Sequence, residues 1–196
     1  SKPYKTIIAA LAAASDGAEI NIGAGTYAGT LNVVDDELQL VGVSSAAVTI
    51  VATADQPAIS MVRRNVEISG VTLTKSQNGD FPTGIELRAL GGASLEKVVL
   101  TDVVITNLVE STTGGAVTGV KMEYVNQLVI DGLSVFTGSG APGGSVNGSN
   151  QIGGVGGQAI GLEVFGNEGG GVCQIENIRI ADLRGGKGGY LYGTNG

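Results

Sequence analysis

Three charged residues recur at one place in a repeated segment: Glu86 in Gly84-Ile85-Glu86-Leu87, Lys121 in Gly119-Val120-Lys121-Met122 and Glu163 in Gly161-Leu162-Glu163-Val164. Read as short strands, these segments turn their apolar residues to one face and the charged one to the other, because side chains alternate along a strand. If the strands stack in sequence order, Glu86 and Glu163 lie two strand spacings apart, about 9 to 10 Å. That is near the upper limit for an acid and a base that work across a water in inverting glycoside hydrolysis. The next outward place carries Val62, Arg88, Glu123 and Phe165. With Lys121 between the two acids and Arg88 beside Glu123, the signs alternate, which is also the pattern of an exposed ion-pair ladder of small net value. The ladder is the favoured reading, and no catalytic residue is assigned.

A binding role would use the few aromatic rings available, which make up only 4% of the chain with no Trp. Phe81, Phe136 and Phe165 fall in or near insertions, so with Arg88 and Glu123 they form the candidate ligand-binding set. Simple anchoring of loops is the competing role for each ring. The chain has no His and a single cysteine, Cys173, so the usual zinc donors are missing and no cofactor or metal is expected. Cys173 reads as a small buried hydrophobe.

The elements that position these residues follow from composition and repeats. The 196 residues carry 11 Lys+Arg against 18 Asp+Glu, a formal charge of −7, without a basic cluster. Nucleic acid and anionic lipid, which need stacked positive charge, are not expected partners. Hydrophobic residues reach 42% and glycines number 34, which together describe an aliphatic, turn-rich core of one domain spanning 1–196. A capping helix is expected over 4–16, where TIIAALAAA puts Ile7, Ile8 and Leu11 on one face before Ser15-Asp16-Gly17 stops it.

After the helix the period changes to short β-branched runs, and a two-strand unit recurs as LQLVGV, EISGVTL, VLTDVVI, VIDGLSV and QIENIRI. The second residue of each central turn pair is Gly42, Gly70, Asp102, Gly132 or Asn177. These are the residue types that best tolerate the left-handed conformation at a sharp bend. A further strand precedes the later four copies, giving three strands per coil and six or seven coils over 19–196. The expected fold is all-β, a parallel β-helix with a short N-terminal helix. Insertions 75–83, 107–118 and 136–160 fall at one place in the coil and emerge along one edge, where solenoids often bind. The last insertion is Gly-rich, either flexible or packed backbone to backbone.

The opening Thr6 to Val43, with its helix, Gly25-Thr26-Tyr27 and LQLVGV, resembles right-handed β-helix proteins of the pectin lyase-like superfamily. The resemblance implies a fold in which a helix caps the first coil. It carries no activity, because the superfamily's enzyme motifs are missing. No Asp cluster of a pectate lyase surrounds any Arg, and there is no histidine for the polygalacturonase Gly-His-Gly or epimerase Asp-Pro-His-Asp segments. Esterase motifs are absent as well.

Association is signalled twice. Val99, Val104 and Val129 should face outward, forming a partner surface unless the loop 109–117 folds over them. Tyr190, Leu191 and Tyr192 look like the first strand of another coil whose open edge invites pairing. The expectation is therefore a secreted or surface-displayed structural or adhesive protein that self-associates into an oligomer or fibre. A polysaccharide-binding or polysaccharide-cleaving protein and a phage tail fibre or spike segment are the alternatives. No signal segment begins at Ser1, so one that existed has been removed, and the expected location is extracellular.

Overall fold

Alternation of aliphatic and polar residues from Glu19 onward produces strands that bury every second side chain, as in the exposed-buried alternation of Glu19–Ile22. The computed structural model describes residues 3–33, 37–53, 55–62, 65–76, 79–88, 94–143, 155–165 and 172–187, with the backbone alone of 146–147 and 191–192. Helix α1 is Ile7–Leu11. The strands in chain order are β1 Glu19–Ile22, β2 Gly25–Ala28, β3 Leu31–Val33, β4 Leu38–Gly42, β5 Val48–Ala52, β6 Ile59–Val62, β7 Asn65–Lys75 and β8 Thr83–Arg88. They continue with β9 Leu95–Val109, β10 Val117–Glu123, β11 Val125–Ser139, β12 Val146–Asn147, β13 Ala159–Phe165, β14 Val172–Glu176, β15 Arg179–Arg184 and β16 Leu191–Tyr192.

All strand pairings between these elements are parallel. One sheet runs β1-β4-β7-β9-β11-β14, with β2, β5 and β15 joining it, and a second runs β3-β6-β8-β10-β13. Each passage through the second sheet is followed in the chain by a passage through the first, the arrangement of a solenoid-like all-β fold. Like residues stack: Ile20, Leu40, Ile68, Leu100, Ile130 and Ile175 occupy one register column. The central members are wholly buried, each contributing about 1.5–3 kcal/mol of apolar burial.

The recurrent turn pairs also align, from Val41 through Ser69, Thr101 and Asp131 to Glu176. Gly70, Asp102, Gly132 and Asn177 have positive φ, as the sequence predicts, whereas Gly42 does not. Side chains brace the bend: Ser45 donates from its N and Oγ to Asp102, at 2.9 and 2.6 Å, and Asn177 Nδ2 donates to Asp131 Oδ1 at 2.6 Å. A second left-handed column, Asn107, Thr137 and Asp182, bends the later strands of the first sheet near their ends.

The helix is shorter than the 4–16 expectation. The Thr6 hydroxyl accepts from Ala9 N at 3.1 Å to start it, and after Leu11 the N–H groups of Ala13 and Ala14 turn to the tighter carbonyls of Ala10 and Leu11. Ile7 is buried with Ala10, Leu11 and Ala14 packed on the core, whereas Ile8 points to the side and is exposed. Of the expected face, Ile7 and Leu11 meet the core and Ile8 does not.

The second and third insertions begin later than expected, since β9 runs to Val109 and β11 to Ser139, and the described parts of 107–118 and 136–160 pack backbone to backbone with the segment after β15. Gly186 N donates to Gly157 O, Gly157 N to Ala141 O, and Ala141 N to Gly115 O, each at 2.8 to 2.9 Å. A Cβ on Gly157 would collide with the Gly115 carbonyl, so glycine is required by close approach rather than by flexibility.

Candidate functional site

On the outer face of the second sheet, Ser60, Glu86, Lys121 and Glu163 form one register column across β6, β8, β10 and β13. Val62 pairs with Arg88, and Glu123 with Phe165. Glu86 and Glu163 are thus two strands apart with Lys121 between them. Arg88 Nη2 lies 2.6 Å from Glu86 Oε1, Arg88 Nε is 3.9 Å from Glu123 Oε1, and Lys121 Nζ is 3.7 Å from the same Glu123 oxygen. Lys121 also sits 5.9 Å from the Phe165 ring centre. Glu86 is engaged by Arg88, while Glu163 makes no ion pair among the described residues. The arrangement is a charged network on an open sheet, where each exposed pair contributes up to about 1 kcal/mol.

The aromatic candidates separate. Phe81 is fully buried, and its backbone exchanges two hydrogen bonds with Val109, at 2.7 and 3.0 Å. It anchors the loop that follows β7 and presents no ring face to a ligand. Phe136 is half-buried with the Arg179 guanidinium 5.0 Å from its ring centre, and Phe165 is 46% exposed.

Val99, Val104 and Val129 do alternate with buried neighbours, yet all three are half-buried rather than free. Val99 and Val129 are register partners, and Val99 lines a shallow groove of about 310 Å³ with Lys97, Gln39 and Glu67. The loop 109–117 does not cover them. Ser111 in it donates from N and Oγ to Asp80 Oδ2, at 3.0 and 2.6 Å, and Gly114 N donates to Pro142 O, which hold it on the insertion edge. These two bonds from Ser111, helped by Lys75, hold the Asp80 carboxyl below its ordinary range.

Two features were missed in the sequence. One is a polar groove of about 620 Å³ on the insertion edge, lined by Lys75, Asn107, Thr137, Ser139, Asp182 and Arg184 among others. Its residues lie on four different strands, β7, β9, β11 and β15, near the second bend column, which the turn-pair repeat did not cover.

The other is the face at the β13, β14 and β15 end. Cys173 is exposed although it occupies an inward place, in register with buried Leu128. Ile175 and Ile180 align with fully buried Ile130 and Val135, yet they are 43% and 47% exposed. The buried cysteine expected from the sequence fails for this reason: inward direction is set by the pleat, but no described strand stacks on its far side. Nor does Leu191–Tyr192 extend the second sheet beyond β13, because β16 pairs with β12 on the insertion edge. The side chains of Leu191 and Tyr192, and all of Tyr190, lie outside the described residues.

No family model matches the chain, and neither a curated protein nor a solved structure matches it.

Proposed function

We propose that the chain is a right-handed parallel β-helix of pectin lyase-like kind, with three strands per coil, and that it serves as a secreted or surface-displayed structural element that self-associates. The observation that carries this reading is the exposed apolar face of β13, β14 and β15, whose strand edges have no described partner. Unpaired parallel edges beside exposed Ile175 and Ile180 are a template for another chain. Adhesive or spike-like roles draw on the same surface. Light scattering coupled to size exclusion over a concentration series tests the reading: oligomers are expected, and a strict monomer at the highest concentration overturns it.

A polysaccharide-active reading draws support from Glu86 and Glu163 sharing one column. Its test is turnover or retention on acidic and neutral polysaccharides, with Glu86→Gln and Glu163→Gln as variants. Unchanged behaviour in both removes this reading.

A further inference from the structure

We infer that the β13/β14/β15 face closes on the same face of a second copy, giving a two-fold dimer rather than a filament. This rests on the self-association reading and specifies its geometry. A filament needs two complementary open ends, whereas a closed dimer uses one face twice. The opposite end of the stack is occupied: α1 packs over β1 and β3, leaving Ile20 and Ile22 buried. An incoming layer therefore meets the helix there rather than exposed inward residues, and among the described strands the exposed inward isoleucines lie on the β14/β15 face, which is left to meet itself.

The residues of β14 and β15 are complementary under that operation. A two-fold axis through the bend at Asn177 and Ile178 sets β14 antiparallel to β15 of the second copy. Glu176 then faces Arg179, Ile175 faces Ile180, and Gln174 faces Ala181, each across the two chains. The pleat agrees at every pair, since Ile175 and Ile180 both align with core residues of β11 while Glu176, Arg179, Gln174 and Ala181 align with its outward ones. Within one chain Glu176 and Arg179 do not pair with each other: Glu176 accepts from Gln174 Nε2 at 3.0 Å and Arg179 lies over Phe136. The symmetry makes each contact twice, so two opposite-charge pairs lie beside the axis and two apolar pairs flank them.

Charge reversal tests this in the intact chain. Glu176→Arg alone turns both cross-chain pairs repulsive and is expected to weaken the dimer by about tenfold or more, and adding Arg179→Glu restores it. In a Cys173→Ser background, Ile175→Cys with Ile180→Cys should oxidise to a covalent species of two chains and no larger. Dimers with rescue by the double reversal support the inference. Higher oligomers in a ladder keep self-association but overturn the closed dimer. A dimer indifferent to Glu176→Arg and to Ile175→Asp places the interface elsewhere and overturns it too. A monomer at every concentration overturns both readings. Because Glu176 and Arg179 are exposed, the reversals leave the fold intact, which circular dichroism of each variant verifies.

Discussion

The two ends of the stack begin with the same kind of residue and finish in different surroundings. Ile20 and Ile175 are the first and last members of one register column, both isoleucines, both turned inward by the pleat. At the first end, α1 lays Ile7, Ala10 and Leu11 over the opening, and Ile20 is only 9% exposed. At the last end nothing described takes the helix's place, and Ile175 is 43% exposed. In a stacked fold, each layer buries its inward residues only against its neighbours. Direction is thus a property of the strand, but burial is a property of the layer beyond it, and the same side chain becomes core or interface accordingly.

The sharpest way to break this comparison is to cut equal substituents from the middle and the last layer. Leu100→Ala, in the same column and fully buried, is expected to cost about 2–5 kcal/mol. Ile175→Ala in dilute solution should cost less than about 1 kcal/mol, since half its surface is already in water. Urea midpoints at low protein concentration measure both. Similar losses would mean that the last layer is covered as well as the middle one.

Cys173 reports on the same contrast without perturbing it. Its thiol is exposed in the single chain and belongs to the face proposed to close on a second copy. Alkylation by a neutral maleimide should be fast in dilute protein and slow by about tenfold where dimers dominate, as expected when the reactive fraction is the dissociated one. A rate independent of concentration would separate Cys173 from any interface.

Much of this layout was legible in the sequence, because it depends on local rules. The bend at Thr101-Asp102 and its equivalents follows from which residues accept positive φ, and the column of Ser60, Glu86, Lys121 and Glu163 follows from alternation and repeat spacing. What failed needed neighbours in space. A lone cysteine with no disulfide or zinc partner reads as a small buried hydrophobe, and Phe81 reads as a binding ring because its segment is an insertion. The structure exposes the first and buries the second. The fate of Leu191–Tyr192 was equally out of reach, since its partner Val146–Asn147 sits in an insertion with no repeat to align it. The groove lined by Lys75, Asn107, Thr137 and Arg184 assembles residues from four separate layers, and no spacing rule joins them.

A smaller change tests the closed end. Thr6→Ala removes the hydroxyl that accepts from Ala9 N and should cost about 1 kcal/mol. If α1 is what blocks stacking at that end, loosening it should also let species larger than two chains appear in light scattering. A stability loss with no new species would leave the cap as a local stabiliser only.

The smallest expected effect lies on the insertion edge, where Asp80 joins the loops that follow β7 and β9. The Ser111 hydroxyl and N–H donate to its carboxylate and lower its affinity for protons relative to the ordinary value of 3.8. A depressed folded-state value means that the unfolded chain binds the proton more readily. The contribution is therefore fully present above the unfolded value and is lost as pH falls through the folded one. In Asp80→Asn the acid limb of the stability curve, from about pH 4 downward, should be shallower than in the parent while the neutral plateau drops slightly. Thermal midpoints taken between pH 2 and 7 read both, and because Asp80 is bonded by the loop after β9 rather than by β14 or β15, dimer affinity at neutral pH should not move. A change in association with Asp80→Asn would show that the insertion edge and the last layer are not independent, and would send the comparison of the two ends back to the loops that run between them.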